Sequence, residues 1–390
     1  MQNLKQHFSY RKFADSTHNI LYLDDDYFLQ KESIDALQKL GHRVTVLKVL
    51  QNDPSKMLES ILKTALMTKP DCVMSINHAG FDPEGKIVNI LNELRIPLLM
   101  WYLDDFRFIL VDTHLHATPN TAVFTYEKQH LQPLRDTGFL HVFHLPSATA
   151  VDPTRDYHYE EFANLADATV FIGSTFNKSK AARLRPEYPR MAKKLSKKID
   201  FTELQHDLLL QAERLQRSHF PTSAKFFHYA SYLICEATEQ YRRHFLEHVR
   251  ADYFHVFGDK DWEKANISGK IHPPVHNLTA APHIQRMAKI NLCLSSQQLG
   301  SAVSLRAYEI PASGGFLLTD WKDDLADLFA EDEIVSFRSV DEMNDKIDFY
   351  QRHPEKREPV IRKARERVIN EHQVFHRIQK MLAIAAKIEW

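Results

Sequence analysis

Glycine is scarce: the chain of 390 residues holds ten. Neither GxxxxGK[ST] nor GxGxxG occurs, so Walker-type ATPases and ordinary dinucleotide binders lack their phosphate loop, and the absence of GxSxG removes support for a hydrolase. Cysteine is scarcer still. Cys72, Cys235 and Cys293 lie far apart in apolar runs, and no CxxC occurs. Three thiols cannot all pair, and the expectation is reduced, buried, cytoplasmic cysteines. No sign of charge dominates either, with 50 Lys+Arg against 51 Asp+Glu and a net charge of -1. That balance excludes a chain-wide basic surface for nucleic acid or anionic membrane, while leaving room for a local basic groove. No run approaches the roughly 18 apolar residues of a membrane span, and MQNLKQHFSYRKF lacks a signal-peptide core. A cytoplasmic protein without a membrane span is expected. Histidine is plentiful, at 22, but ligand spacings are poor. His114/His116 and His372/His376 are the close pairs, and EHQVFH is not HExxH because Glu371 precedes the first histidine. No metal site is expected.

What is present is the material of a core. Hydrophobic residues make up 44% and charged residues 26%, with 24 Phe, 14 Tyr and 4 Trp, the mix of a globular protein. The length suits two domains. In the first half, short apolar runs (19–24, 43–50, CVMSI, 98–103 and, more weakly, 121–126 and 141–145) alternate with helical patterns at 31–41, 55–67 and 86–94. Strand–helix–strand alternation implies a parallel sheet with helices on both faces. Residues 190–217 and 225–250 read as two long helices separated near Pro221. Strand signals resume at 253–257, 270–271, 290–294, 315–319 and 334–337. The last segment, 341–389, reads as helical with breaks near Pro354 and Pro359. The boundary between two α/β halves is placed in the linker LPSATAVDPTRDYHYEEF.

Several clusters are candidates for chemistry. ILYLDDDYF opens like a phospho-receiver, but Ser75, Ile76 and Asn77 stand where the phosphoacceptor Asp would be, so aspartyl-phosphate chemistry has no nucleophile. Asp24 and Asp26 form a DxD, which suits either a metal-bound nucleotide diphosphate or a solvated turn. Asn77, His78 and Asp82, with Asp104 and Asp105, end two neighbouring strands. They can position a hydroxyl acceptor, act as general base, or cap helices. The densest constellation is SAVSLRAYEIPASGGFLLTD. Arg306 suits a diphosphate by charge and fork geometry, and Glu309 suits ribose hydroxyls. The two also fit an i,i+3 ion pair. The Lys/Arg-rich stretch 178–198 reads as a solvated helix, or as a local basic surface for nucleic acid.

This stretch resembles the glycosyltransferase domain of the CgeB-like (spore maturation protein) family, a branch of the GT-B glycosyltransferases. The likeness is carried by Arg306, Tyr308, Glu309, Ala312, Ser313, Gly314, Gly315 and FLLTD, then by the following acidic segment, FYQRHPEKR, His372 and Arg377. KINLCLS, VFIGS, SINHAGFD, IPLLMWYLDD and HLPSATAVD extend it in patches over most of the chain. The resemblance implies α/β architecture with two Rossmann-like domains facing across a cleft: 1–160 on the acceptor side, 161–375 binding the nucleotide-sugar with a helical segment at 190–250, and a final helix, 376–390, crossing back to the first domain. It implies a metal-independent hexosyltransferase-like enzyme with no cofactor beyond a donor expected to be UDP-linked. Glu309 would hold the ribose and Arg306 the diphosphate. Gly173, Ser174, Ser313, Gly314 and Gly315 would line the donor site, largely through backbone N–H groups. Asp104, Asp105 and His78 are the catalytic candidates. Related families carry a second Glu eight residues before the ribose Glu, where this chain has Ser301. The function expected is transfer of a sugar to a protein, cell-surface or small-molecule acceptor, with DNA ranked below these. The alternatives are a non-catalytic nucleotide-sugar-binding module on the same shell and, more weakly, a degenerate receiver-like regulator.

Overall fold

The computed structural model of the chain describes residues 2–110, 113–176 and 178–390. It divides into two compact units, residues 1–147 with 374–390, and residues 148–373. In the first unit, α1 (Gln2–His7) precedes alternating elements: β1 (Asn19–Asp24), α2 (Gln30–Lys39), β2 (Arg43–Lys48), α3 (Pro54–Thr68), β3 (Cys72–Ile76), α4 (Lys86–Glu93), β4 (Leu98–Tyr102), α5 (Phe106–Ile109), β5 (Thr121–Thr125), α6 (Leu131–Asp136) and β6 (His141–His144). The sheet order is β2-β1-β3-β4-β5-β6, and every pairing is parallel. The inner strands are apolar runs because helices cover both faces; CVMSI, LLMWY and TAVFT are buried at every position. The edge strand β2 is half exposed and carries polar residues. Helix α3 starts where Asp53 accepts from the Lys56 N–H at 3.0 Å, with Pro54 at its first position. Its buried stripe is Met57, Ile61 and Ala65, which joins Leu21, Leu23, Val73, Met100 and Tyr102 in the core.

The second unit continues with β7 (Thr169–Ile172), α7 (Ser179–Leu184), α8 (Glu187–Leu195), α9 (Leu208–Gln216), α10 (Ser223–Leu246), β8 (Phe254–Phe257), β9 (Lys270–His272), α11 (Ala280–Met287), β10 (Ile290–Cys293), α12 (Arg306–Ala312), β11 (Leu317–Asp320), α13 (Leu325–Leu328), β12 (Val335–Phe337), α14 (Val340–Arg352) and α15 (Pro354–Glu371). Its sheet, also all parallel, has the order β12-β11-β10-β7-β8-β9. The chain then returns to the first unit as α16 (Val374–Ala385). Helix α16 packs on α2, and the Arg377 Nε donates to the Pro146 carbonyl at 2.8 Å. Among the described residues no helix is long and apolar enough to cross a membrane.

Two expectations need correction. Residues 190–217 are not one helix. The chain breaks between α8 and α9, where Asp200 accepts from the Thr202 N–H at 2.9 Å and Asp207 caps the next helix by accepting from the Leu210 N–H at 2.8 Å. Side-chain turn chemistry, with no Gly or Pro, does the breaking. Pro359 interrupts nothing; it lies inside α15, near enough to the start that little of the hydrogen-bond ladder is lost. The break falls instead at His372–Gln373. The first crossing between units lies at Ser147–Ala148, within the linker LPSATAVDPTRDYHYEEF and ahead of the 160/161 bound that the resemblance implies.

Candidate functional site

In a parallel sheet the carboxyl ends of the strands meet loops and helix starts, and polar groups collect on that rim. In the second unit the rim follows β7, β8, β10 and β11. Glycine is required where two of these loops touch. A Cβ on Gly258 would lie 2.3 Å from the Gly173 carbonyl oxygen and 2.6 Å from the Trp262 ring. The Trp262 Nε1–H donates to that carbonyl at 2.8 Å, and the Gly173 N–H donates to the Phe257 carbonyl at 3.0 Å. Asp259 clasps the neighbouring loop, accepting from the N–H and the Oγ1–H of Thr175, each at 2.7 Å.

Helix α10 supports the rim with Thr238, Tyr241 and Arg242, which share one face at i, i+3 and i+4. Thr238 Oγ1 accepts from the Gln297 N–H at 2.9 Å. Tyr241 O–H donates to Asp320 Oδ2 at 3.0 Å, and Asp320 also accepts from the N–H and Oγ–H of Ser295 at 2.9 Å. Burial, then the Asp320 carboxylate, pushes the Tyr241 phenol well above its usual range, so it remains a donor. Arg242 joins the ends of two strands. Its Nε donates to the Leu294 carbonyl after β10 at 3.1 Å, and its Nη1 to the Ser174 carbonyl after β7 at 2.9 Å. The guanidinium lies 5.7 Å from the Phe171 ring centre and 5.0 Å from that of Phe176. Burial pulls it down to about 10. The sequence reading missed this residue, which lies beside the apolar stripe of a helix and reads as its solvated face. A cavity of about 550 Å³, lined by Tyr241, Asp320, Trp321 and Arg338 among others, opens beside Asp320, a size within the range of small-ligand sites.

Helix α12 brings Arg306 and Glu309 to the same rim. Arg306 donates through Nη1 to Glu309 Oε2 at 2.5 Å and through Nη2 to Asn277 Oδ1 at 2.7 Å. Glu309 is only 2% exposed while Arg306 is half-buried, so the i,i+3 pair joins a buried carboxylate to a guanidinium that still reaches the rim. Ser313, Gly314 and Gly315 are not with them. They follow the far end of α12 and lead into the amino end of β11, because a seven-residue helix carries the chain about 10 Å back along the sheet. Their N–H groups close the helix on itself, Ser313 to Glu309, Gly314 to Pro311 and Gly315 to Ile310, at 2.9–3.0 Å. Gly314 takes the left-handed φ of 84° that ends many helices. The expected donor contacts from these three residues are therefore corrected. Gly173 likewise spends its N–H on Phe257, and Ser174 is exposed with its carbonyl on Arg242.

The first unit has its own rim after β3 and β4. Asn77 stitches the two loops together: its Oδ1 accepts from the Leu103 N–H at 2.8 Å, and its Nδ2 donates to Asp104 Oδ2 at 2.8 Å. Tyr27 O–H donates to the same oxygen. Asp104 is partly exposed; Asp105 and His78 are not. Asp105 is fully buried, caps α5 through the Arg107 N–H at 3.0 Å, and holds the Arg107 Nη2 at 2.6 Å. Burial alone would raise its pKa, but His130 and Arg107 outweigh burial and hold the carboxyl well below the usual range. His78 stands in a buried chain. The Pro83 carbonyl can only accept, so His116 carries its proton on Nε2 (3.1 Å) and accepts on Nδ1 from the His78 Nε2–H (2.8 Å). His78 Nδ1 then accepts from the Tyr102 O–H at 3.3 Å. Burial, then His116, pushes His78 well below its usual range. Both ring nitrogens are spent inside the fold, which corrects its expected place among the catalytic groups. Asp105 is likewise a structural ion, and Asp104 alone of the three reaches the surface of the rim. Asp24 and Asp26 hold the Lys48 ammonium at 2.8 and 2.5 Å, the solvated-turn reading of that DxD.

Residues 240–383 match the family described as Glycosyl transferase-like, a segment that contains the Arg306–Glu309 pair. No curated protein matches the chain by sequence. Solved structures share its fold at low identity. A glycosyltransferase from Rickettsia africae ESF-5 is similar with a TM-score of 0.54 and 12% identity, over 96% of this chain and 99% of that one. Sucrose-phosphate synthase from Thermosynechococcus elongatus is similar with a TM-score of 0.53 and 10% identity, over 93% and 97%. The Anabaena protein HepE, solved in complex with UDP-glucose, is similar with a TM-score of 0.53 and 9% identity, over 93% and 98%. The fold is that of the GT-B class, two Rossmann-like α/β domains. Its second domain carries a glycosyltransferase-like segment.

Proposed function

We propose that the protein is a glycosyltransferase that moves a sugar from a nucleotide-sugar donor, UDP-linked, to a protein, cell-surface or small-molecule acceptor. The observation that carries this is the pairing of Arg306 with the buried Glu309 carboxylate in the first turn of α12, on the carboxyl rim and inside the glycosyl transferase-like segment. A carboxylate there accepts from two ribose hydroxyls. The guanidinium beside it meets the negative charge that develops on a leaving diphosphate, the electrostatic term that usually dominates such catalysis. With the diphosphate charge met by arginine, no step calls for a metal ion. Asp104, on the rim of the first unit, is the candidate for the acceptor's proton. The run from Arg306 to Asp320 supports the CgeB-like branch as the family, and a uridine donor agrees with HepE being solved with UDP-glucose.

A second reading has its own support. The residue eight positions before Glu309 is Ser301, which is buried and whose carbonyl accepts from the Asp324 N–H at 3.1 Å. A missing acid at that position favours a module that binds the nucleotide-sugar without transfer. Thermal-shift titration against a nucleotide-sugar panel tests binding, since a ligand at a hundred-fold excess over Kd stabilises the folded state by about 2.7 kcal/mol. A UDP-sugar is expected to raise Tm, and Glu309→Ala to lower its affinity about ten-fold or more. If no nucleotide-sugar raises Tm, both readings fail. Tight binding without hydrolysis or transfer selects the second.

A further inference from the structure

The donor reading leaves the basic segment 178–198 without a role. It holds nine Lys and Arg residues and one acid, Glu187, in a chain whose net charge is -1. Lys178 pairs with Glu236 at 3.1 Å and with Glu239. The other eight cations are exposed, and among the described residues none of them pairs with a carboxylate. Helix cations elsewhere in the chain find a partner one turn away, as in Lys63–Glu59, Arg217–Glu213 and Arg367–Glu371. Like charges gathered without counter-charges repel one another, which opposes the compact state until a partner neutralises them.

The two helices that carry these charges present them outward. Helix α8 buries Tyr188, Ala192 and Leu195. Its Tyr188 seats it on α10, with the hydroxyl 2.9 Å from His228 Nδ1 and the ring 5.2 Å from that of Tyr229. At 3.6 residues per turn, Arg190, Lys193 and Lys194 fall on the side opposite that buried stripe. Lys197 and Lys198 continue in the turn that follows, where the Lys198 N–H donates to the Leu195 carbonyl at 2.8 Å. Helix α7 buries no residue. Lys180, Arg183 and Leu184, at i, i+3 and i+4, share its exposed side, and Arg185 comes next. Leu184 is 69% exposed, more than any other large hydrophobic residue described in the second unit.

Polyanions of two kinds fit such a charge, and the side chains choose between them. Nucleic acid is read by rings that stack on bases or by amide side chains that meet base edges. The one aromatic residue of 178–198 is Tyr188, which is buried, and the segment has neither Asn nor Gln. Leu184, set between Arg183 and Arg185, gains nothing against a phosphate backbone. At a bilayer the same trio is complementary: the cations meet lipid phosphates, and the leucine leaves water below the headgroups. We infer that α7, α8 and the turn after α8 form a docking surface for an anionic lipid membrane, with the cations on the headgroups and Leu184 in the acyl boundary. Nothing in this surface depends on what the donor site binds.

Vesicle co-sedimentation of the full chain tests it, with vesicles of equal parts phosphatidylcholine and phosphatidylglycerol against vesicles of phosphatidylcholine alone. The protein is expected to sediment with the anionic vesicles at about 0.05 M salt, to stay in solution with the neutral ones, and to be released at about 0.5 M, where screening is short-ranged. The variant Lys193→Gln/Lys194→Gln/Lys197→Gln/Lys198→Gln should lose about a hundred-fold or more in vesicle affinity, at roughly five-fold for each cation near the surface. Leu184→Ser should lose about ten-fold. All five side chains are exposed, so both variants should keep the Tm of the wild type, which separates lost docking from lost folding. A wild-type protein that ignores the anionic vesicles overturns the inference, as does a quadruple variant that binds them as the wild type does. A random-sequence DNA duplex is the counter-probe: preference for the duplex over the anionic vesicles at equal salt assigns the surface to nucleic acid and overturns the membrane.

Discussion

Glu309 is a carboxylate almost out of water, held by one arginine. Arg306→Ala therefore leaves a buried acceptor without its partner, which costs about 1–3 kcal/mol. Removing both groups spares that penalty, so Arg306→Ala/Glu309→Ala is expected to be more stable than Arg306→Ala alone. Urea unfolding of the two variants measures the difference, and equal stabilities would show that the pair is not coupled. His78 makes a different prediction. Its folded pKa is pushed down, first by burial, while the unfolded chain's histidine titrates near the ordinary value of about 6.5. Below that pH the unfolded state binds a proton that the folded state refuses, so stability is lost as pH falls beneath about 6.5 and recovered as it rises. Burial shifts His18, His42, His244, His255 and His272 in the same direction. Unfolding free energy should drop between about pH 7 and pH 5, and His78→Gln should make that slope shallower. An unchanged slope in the variant would mean that His78 protonates freely in the folded protein.

At the scale of elements, strands were readable and directions were not. NILYLD, CVMSI and LLMWY announce themselves because a strand covered on both faces has no polar side to show. The Arg306–Glu309 spacing announces a helical turn for the same kind of reason, that three residues nearly complete one turn. Nothing in that local pattern says that Ser313, Gly314 and Gly315, a few residues on, finish at the opposite pole. That follows only once α12 is known to run antiparallel to the strands it joins. The burial of His78 and Arg242 was hidden for a related reason, since periodicity on one element cannot show what a neighbouring element covers. The helix break at 196–207 escaped because Asp and Thr side chains make it. The two glycine contacts turn this difference in position into a test. A Cβ on Gly315 would lie 2.3 Å from the Gln285 carbonyl oxygen, and one on Gly258 the same distance from the Gly173 carbonyl. Each Gly→Ala change should cost about 1–3 kcal/mol by overpacking. Gly258→Ala, on the carboxyl rim, should also weaken nucleotide-sugar binding, whereas Gly315→Ala should leave it unchanged. Equal losses of affinity would return Gly315 to the donor site.

At the scale of the whole chain, the first unit is not finished when β6 ends. Its last piece arrives after the second unit is complete, as α16, whose buried face is Ile378, Met381, Leu382 and Ala385. That face packs on α2, and beyond the helix the Trp390 ring stacks 6.2 Å from Phe13 and meets the His141 ring at 5.7 Å. Burying an Ile, Met or Leu side chain is worth about 1.5–3 kcal/mol each, so the segment contributes a large share of the marginal stability a domain has. The glycosyl transferase-like match ends at 383 and so runs past the last residue of the second unit, Gln373. A protein ended after Gln373 keeps the whole second unit and uncovers α2 in the first. Limited proteolysis with mass mapping should then find new cleavage within 1–147 and unchanged protection within 148–373. Met381→Asp, which places a charge in the same face without shortening the chain, should reproduce that asymmetry. Protection of 1–147 that survives both changes would show that the first unit holds without its returning helix.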